Sequence, residues 1–330
     1  MEVDKRMSSI PLHKRGIEAS QLVLGCMRFG GGWNRNPIEA EHFKEGHEAV
    51  DAALEIGINM YDHADIYTFG KAEQVFGQVL KDRPGLREQI ILQSKCGIRL
   101  QGGDDDPQRF DFSESHILSS VDGILERLQT DYLDILLLHR PDALVEPEEV
   151  ASAISKLKAS GKVRAFGVSN MSQGQIKLLR AYTDEPFIVN QLELSLLKHG
   201  FIDTGLHVNQ LAARDNVFPE GTLEYCRMEN IQLQSWGPLA QGIYSGAPLG
   251  DSPESVAATA ALVAEFAERK DTTPEAIVLA WLMRHPANIQ PVIGSINPKR
   301  ILACKDANTL RLTREEWYRL YNCSRGKALP

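Results

Sequence analysis

Two stretches, Gln89-Ile-Ile-Leu-Gln-Ser-Lys95 and Asp134-Ile-Leu-Leu-Leu-His139, are built alike: a short apolar run that ends on one proton-handling side chain. The segment Asn59-Met-Tyr-Asp-His-Ala-Asp-Ile-Tyr67 repeats the design with two such groups, Asp62 and Tyr67. Near-continuous apolar runs of this length fit strands buried on both faces, as in parallel sheets. Similar runs at 22–26, 165–169, 188–191, 231–235 and 290–293 join 59–62, 90–94 and 134–138 to give eight predicted strands.

Amphipathic runs separate them. Residues 38–56 bring Phe43, His47, Val50, Ala53 and Leu54 towards one face. Residues 113–128 space Ile117, Val121, Ile124, Leu125 and Leu128 as a helix does, and 148–160, 172–181 and 273–283 behave alike. Ser172 reads as an N-cap and Gly161 as a stop. Eight βα alternations predict a parallel sheet closed into a (β/α)8 TIM barrel, a single domain over 1–330. In such a barrel all strand ends meet on one face, which carries the active site. The rival, an open doubly wound sheet, calls for G-x-G-x-x-G after the first strand. Leu24-Gly-Cys-Met-Arg-Phe-Gly-Gly-Gly32 does not match that pattern.

Ile10-Pro-Leu-His-Lys-Arg-Gly-Ile17 reads as an N-terminal β-hairpin, and long loops are expected on the C-terminal face. Residues 97–112, rich in Gly and Asp, are expected to be mobile; 193–216 form a second insertion, and the tail holds a helix pattern at 313–320. The chain of 330 residues has a formal net charge of −8, which argues against non-specific nucleic-acid binding. Five cysteines, odd in number and without a CxxC pair, read as reduced thiols and not as a zinc site. Residues 1–9 lack the apolar core of a signal peptide, and no stretch approaches a bilayer span, so the expected location is the cytoplasm, without a membrane partner. A monomer or weak homo-oligomer is expected.

Four side chains at three successive strand ends suit carbonyl reduction. A proton must reach the carbonyl oxygen from an acid within hydrogen-bond reach. Tyr67 can be that acid, with Lys95 lowering its pKa, Asp62 holding Lys95 charged and His139 orienting the carbonyl. Singly, Asp62 could be a cap, Tyr67 a packing residue, Lys95 a surface charge and His139 a rim histidine; their joint occurrence weighs against that.

The constellation resembles the aldo-keto reductase superfamily over nearly the whole chain. Asp62-His-Ala-Asp-Ile-Tyr67 is similar to its Asp-x-Ala-x-x-Tyr element, and Ser94-Lys95, Leu138-His139-Arg-Pro-Asp142 and Gly161-Lys-Val-Arg-Ala-Phe-Gly-Val-Ser-Asn170 are similar to the elements that follow. The resemblance implies NADPH/NADP as cofactor and a small carbonyl substrate. It implies that Ser169, Asn170 and Gln191 hold the nicotinamide carboxamide and that Trp236 stacks on the ring. Gly237, Pro238, Leu239, Gln241 and Gly242 would close over the pyrophosphate, with Gly25 and Met27 also on the cofactor. In Pro291-Val-Ile-Gly-Ser-Ile-Asn-Pro-Lys-Arg300, Gly294, Ser295, Asn297 and Arg300 would serve the 2′-phosphate end. Gly294 stands where many members carry lysine and Cys304 where many carry asparagine. Arg28 and Trp33, after the first strand, are substrate candidates by position; Phe69, Phe110 and Phe201 complete an expected apolar rim for a small aldehyde or dicarbonyl. No metal spacing develops. Two rivals remain: a Schiff-base lyase using Lys95 as nucleophile, and a cofactor-binding redox sensor.

Overall fold

The computed structural model describes residues 9–330. The segment 1–8, read as lacking a signal-peptide core, lies outside them. Ten strands and eleven helices follow in chain order among the described residues. The strands are β1 (Val23–Gly25), β2 (Met60–Asp62), β3 (Ile91–Cys96), β4 (Ile98–Arg99), β5 (Arg109–Phe110), β6 (Leu133–Leu138), β7 (Val163–Ser169), β8 (Phe187–Glu193), β9 (Gln232–Trp236) and β10 (Gln290–Ile293). The helices are α1 (Ala40–Glu55), α2 (Lys71–Asp82), α3 (Glu114–Leu128), α4 (Pro147–Ala159), α5 (Gln173–Arg180), α6 (Gly200–Leu206), α7 (Thr222–Met228), α8 (Glu254–Arg269), α9 (Pro274–Met283), α10 (Pro298–Leu302) and α11 (Arg314–Arg325).

Eight strands close a barrel in the order β1-β10-β9-β8-β7-β6-β3-β2. The registers are parallel, with Asp62 opposite Gln93 and Lys95 opposite Leu137. The predicted α/β barrel is therefore what the chain forms. Its local causes are those read from the sequence. Helix α3 buries Ile117, Val121, Ile124, Leu125 and Leu128 and starts at Ser113, whose hydroxyl accepts from the His116 amide. Ser172 caps α5 in a reciprocal box with Gln175. Gly161 sits just past α4 at φ 74°, a left-handed stop. Helix α1 differs in detail: its buried face is Gly46, Ala49, Val50, Ala52 and Ala53, so small residues, not Phe43 or Leu54, meet the interior.

The chain divides into two compact units. One holds Val23–Gln191 and Gly294–Pro298, and with them β1 to β7 and the catalytic candidates of the first half. Within it α2 crosses α3 so closely that a Cβ at Gly77 would collide with the Arg127 carbonyl. The other holds 9–22, Leu192–Ile293 and Lys299–Pro330. Its centre is an aromatic cluster: Trp281 of α9, fully buried, stacks on Trp317 of α11 with ring centroids 5.2 Å apart and planes 9° apart. Each indole N–H donates to the other residue's carbonyl, at 3.2 and 2.9 Å.

Two expectations are corrected and one feature is added. Residues Pro11–Arg15 form a 3₁₀ turn, not a β-hairpin. Pro11 presets the first helical φ, and Gly16 at φ 74° ends the turn with its amide on His13 O. Proline and glycine mark both kinds of reversal, and nothing in so short a segment distinguishes them. Residues 97–112 carry an antiparallel pair β4–β5 that the sequence reading did not foresee, with Ile98 opposite Phe110 and Arg99 opposite Arg109. Phe201 is not at a rim: it is 2% exposed and packs against Trp281, Phe218 and His285.

Candidate active site

Asp62 ends β2, Lys95 is the penultimate residue of β3, and His139 follows β6 directly. Tyr67 opens the turn after β2. Lys95 is entirely buried, and its ammonium has three hydrogens and three acceptors. Nζ donates to Asp62 Oδ2 at 2.7 Å, to His63 O at 2.9 Å and to the Tyr67 hydroxyl at 2.9 Å. Asp62 is 2% exposed, and its other oxygen accepts from Gln93 Nε2 at 2.6 Å and Gln191 Nε2 at 3.1 Å. One carboxylate thus gathers donors from β3 and β8. Gln93 escaped the sequence reading. Its signal is a polar side chain two residues before Lys95, hence on the same face of an otherwise apolar strand.

Burial is the largest influence on Lys95 and pulls its pKa down, but the Asp62 carboxylate and Tyr67 outweigh it and hold the ammonium above the ordinary lysine range. Tyr67 corrects the sequence expectation. Burial dominates and raises its pKa; the Lys95 cation pulls the other way without overcoming it. Tyr67 is therefore a phenol at neutral pH, its proton in hand, beside a cation able to stabilise the anion left after transfer. His139 lies edge-on to Tyr67, ring centroids 5.9 Å apart at 80°. Burial, then the Lys95 and Arg140 cations, push its pKa well below the usual histidine value. The ring is neutral, and its buried Nδ1 has no partner among the described residues.

The turn bearing Tyr67 is strained. Thr68 and Phe69, neither a glycine, lie at φ 48° and 60°. Thr68 Oγ1 donates to Phe29 O at 2.9 Å, which ties the turn to the loop after β1. On that loop Trp33 is half exposed and meets Phe69 edge-on at 5.8 Å, while the Arg35 guanidinium sits 4.8 Å over the Phe69 ring. Arg28 and Met27 are exposed beside them. Ser169 ends β7 and Asn170 follows it: Asn170 Nδ2 donates to Ser169 Oγ at 2.9 Å and to His139 O at 3.3 Å, and Ser169 Oγ donates to Gln191 O at 2.9 Å. Gly25 is buried in β1. In the other unit, Trp236 is the last residue of β9 and half-buried. After it Gly237, Ala240, Gln241 and Gly242 all take positive φ, with Pro238 and Leu239 between. Gly294 and Asn297 are exposed and Ser295 half-buried after β10; Arg300 is exposed in α10.

A half-buried phenol, a buried cation and a buried carboxylate thus meet at the strand ends of a parallel barrel. Residues 21–325 match the family model described as "Aldo/keto reductase family", and the chain belongs to that family. It is 36% identical over 318 residues to the uncharacterised oxidoreductase YcsN of Bacillus subtilis, covering 95% of this chain and 97% of that one. It is 34% identical to a 6-dehydroglucose reductase of Agrobacterium fabrum over 94% of this chain and 96% of the relative. Among solved structures, an aldo/keto reductase of Klebsiella pneumoniae in complex with NADP and acetate superposes with TM-score 0.71 at 24% identity, covering 92% and 90% of the two chains. No helix of the described residues is long and apolar enough to cross a membrane.

Proposed function

We propose that this protein reduces an aldehyde or ketone to the alcohol with NADPH, Tyr67 giving its proton to the carbonyl oxygen. The observation that carries the reading is the Lys95 ammonium, its three hydrogens taken up by Asp62, His63 and Tyr67. When bound, the cofactor supplies the hydride. The rest belongs to the chain. Asp62 keeps Lys95 charged and in place. Lys95 stabilises the phenolate that Tyr67 becomes. His139 donates from Nε2 to the carbonyl oxygen and so orients the carbon for attack. The same ammonium speaks against a Schiff-base lyase, since a nucleophilic lysine needs a lowered pKa and a free lone pair.

The residues suit a nicotinamide dinucleotide by their chemistry. Ser169, Asn170 and Gln191 offer the hydroxyl and amide groups a carboxamide requires, and Trp236 offers a ring face. The segment Gly237 to Gly242, a tight turn with four positive-φ residues, is assigned to the pyrophosphate, and Arg300 with Lys299 supplies cations. Gly25, Met27, Gly294, Ser295 and Asn297 complete the assignment. Arg28 and Trp33 are assigned to the substrate. A relative named for 6-dehydroglucose makes oxidised sugars the first substrates to screen, with small aldehydes and dicarbonyls beside them.

Titration of NADPH, NADP⁺ and NADH against tryptophan fluorescence tests the reading. Micromolar or tighter binding of the phosphorylated forms, followed by turnover on a carbonyl panel, is expected. Binding of none of them overturns it. Tight retention without turnover favours the redox-sensor reading instead.

A further inference from the structure

We propose that Asp65 is a positioning residue for the reaction: its carboxyl, held by Ser120 and within electrostatic reach of Glu73 and Arg127 behind β3, fixes the turn on which Tyr67 stands. The inference rests on the reductase reading and goes beyond it to a group that touches neither substrate nor cofactor.

The turn from Asp62 to Tyr67 is attached to β3 through Asp65, whose amide donates to Lys95 O at 3.0 Å, while Tyr67 N donates to Ala64 O at 3.0 Å. The Asp65 side chain faces the helices behind β3. There its carboxylate accepts from Ser120 of α3 and from the Ile66 amide, and the Arg127 cation of α3, the Glu73 carboxylate of α2 and the Cys96 thiol of β3 lie within electrostatic reach. Glu73 is fully buried, accepting from Ser94 Oγ at 2.7 Å and from Arg127 Nε at 2.8 Å. Ser94 and Cys96 flank Lys95 on β3, so this cluster and the tetrad occupy the two faces of one strand.

The cluster holds two carboxylates and one guanidinium. Asp65 Oδ1 is buried without a donor in reach, so its ionised form lacks solvation on that side. Burial first, then Glu73, push its pKa up to about 7, against Arg127, the Ile66 amide and Ser120. Below that pH Asp65 is neutral and the turn rests against Glu73 without repulsion. Above it a second negative charge enters behind Lys95 and opposes the charge that grows on Tyr67 as its proton leaves. Tyr67 and Lys95 are displaced upward and His139 downward, away from neutrality, so none of these three supplies such a limb. Reduction therefore slows as pH rises through about 7, by about tenfold, the scale of one unit charge acting through a protein-like dielectric.

The deciding experiment follows the ring-carbon NMR signal of Tyr67 in ¹³C-tyrosine-labelled full-length protein, assigned with Tyr67→Phe, from pH 5 to 9. In the native protein the signal moves with a midpoint near neutrality. Asp65→Asn, neutral and of the same shape, removes that movement. Glu73→Gln, which takes away the repelling charge, shifts the midpoint to lower pH and covers the case in which Asp65→Asn fails to fold. A Tyr67 signal that stays still in the native protein, or titrates alike in the variants, overturns the proposal. The turnover profile of native protein and Asp65→Asn on the carbonyl panel follows: the alkaline decline is present in the first and flattened in the second, and its persistence in Asp65→Asn also overturns the proposal. A Tyr67 signal that responds to Asp65 in a protein that reduces no carbonyl upholds the positioning and overturns the reductase reading alone.

Discussion

Replacing Asp62 by Asn isolates the energetics of the tetrad from its chemistry. The carboxylate accepts from Lys95 Nζ on one oxygen and from Gln93 and Gln191 on the other. Asn has a single oxygen, and its amide N–H groups would face donors. At least one donor loses its acceptor, and a wholly buried ammonium loses its counter-charge. Breaking a buried pair from one side costs about 3–5 kcal/mol, because the surviving charge stays desolvated. With an unfolding entropy of about 2.1 cal/mol/K per residue over 330 residues, the melting temperature drops by about 4–7 °C. Lys95→Met, which strands the carboxylate instead, has a cost of the same order. The double variant Asp62→Asn/Lys95→Met carries no buried charge at the site, so its loss falls short of the sum of the singles by at least about 2 kcal/mol. Thermal unfolding followed by circular dichroism, with all four proteins in one buffer, reads the cycle. Additive losses, or a single variant costing less than about 1 kcal/mol, would refute the view that Asp62 and Lys95 are a desolvated, mutually dependent pair.

Tyr67→Phe removes the proton donor and lowers the reduction rate by about 10²–10⁴-fold, while fluorescence titration finds nicotinamide binding unchanged. His63 is wholly buried, its ring held neutral down to about pH 3 by burial and by Lys95. The unfolded chain takes up that proton near pH 6.5, so stability is complete above 6.5 and drains as pH falls, by about 1.4 kcal/mol per pH unit for each such ring. His63→Leu flattens this acid limb by one proton in urea titrations between pH 6 and 4; an unchanged slope contradicts the assignment. Trp281→Ala removes the ring at the centre of the aromatic cluster and costs about 3–5 kcal/mol in the same thermal assay.

Much of this architecture was legible because the barrel writes itself in a simple code. Apolar runs such as 134–138 are buried on both faces, and the change to a single polar residue marks where each strand surfaces. The caps at Ser113 and Ser172 mark the helices equally locally. The failures were of another kind. The turn at Pro11–Arg15 shares its proline and glycine with hairpins. Pairing of Ile98 with Phe110 depends on residues twelve apart meeting, which composition does not encode. The direction of the Tyr67 shift is a contest between burial and a cation, and only coordinates say which is larger. Gln93, Asp65 and Glu73 look like ordinary polar residues until the fold brings them beside the tetrad.

The grip of Gln93, Lys95 and Gln191 on one Asp62 carboxylate bears on how this protein can be engineered. A side chain that ties two strands to a third serves as a rivet, so a library that randomises any of the four gives up several degrees of melting temperature before it samples any new chemistry. Diversity belongs in the loop bearing Trp33 and in the β4–β5 hairpin. Both stand outside that knot, provided the tie from Thr68 to the Phe29 carbonyl is kept.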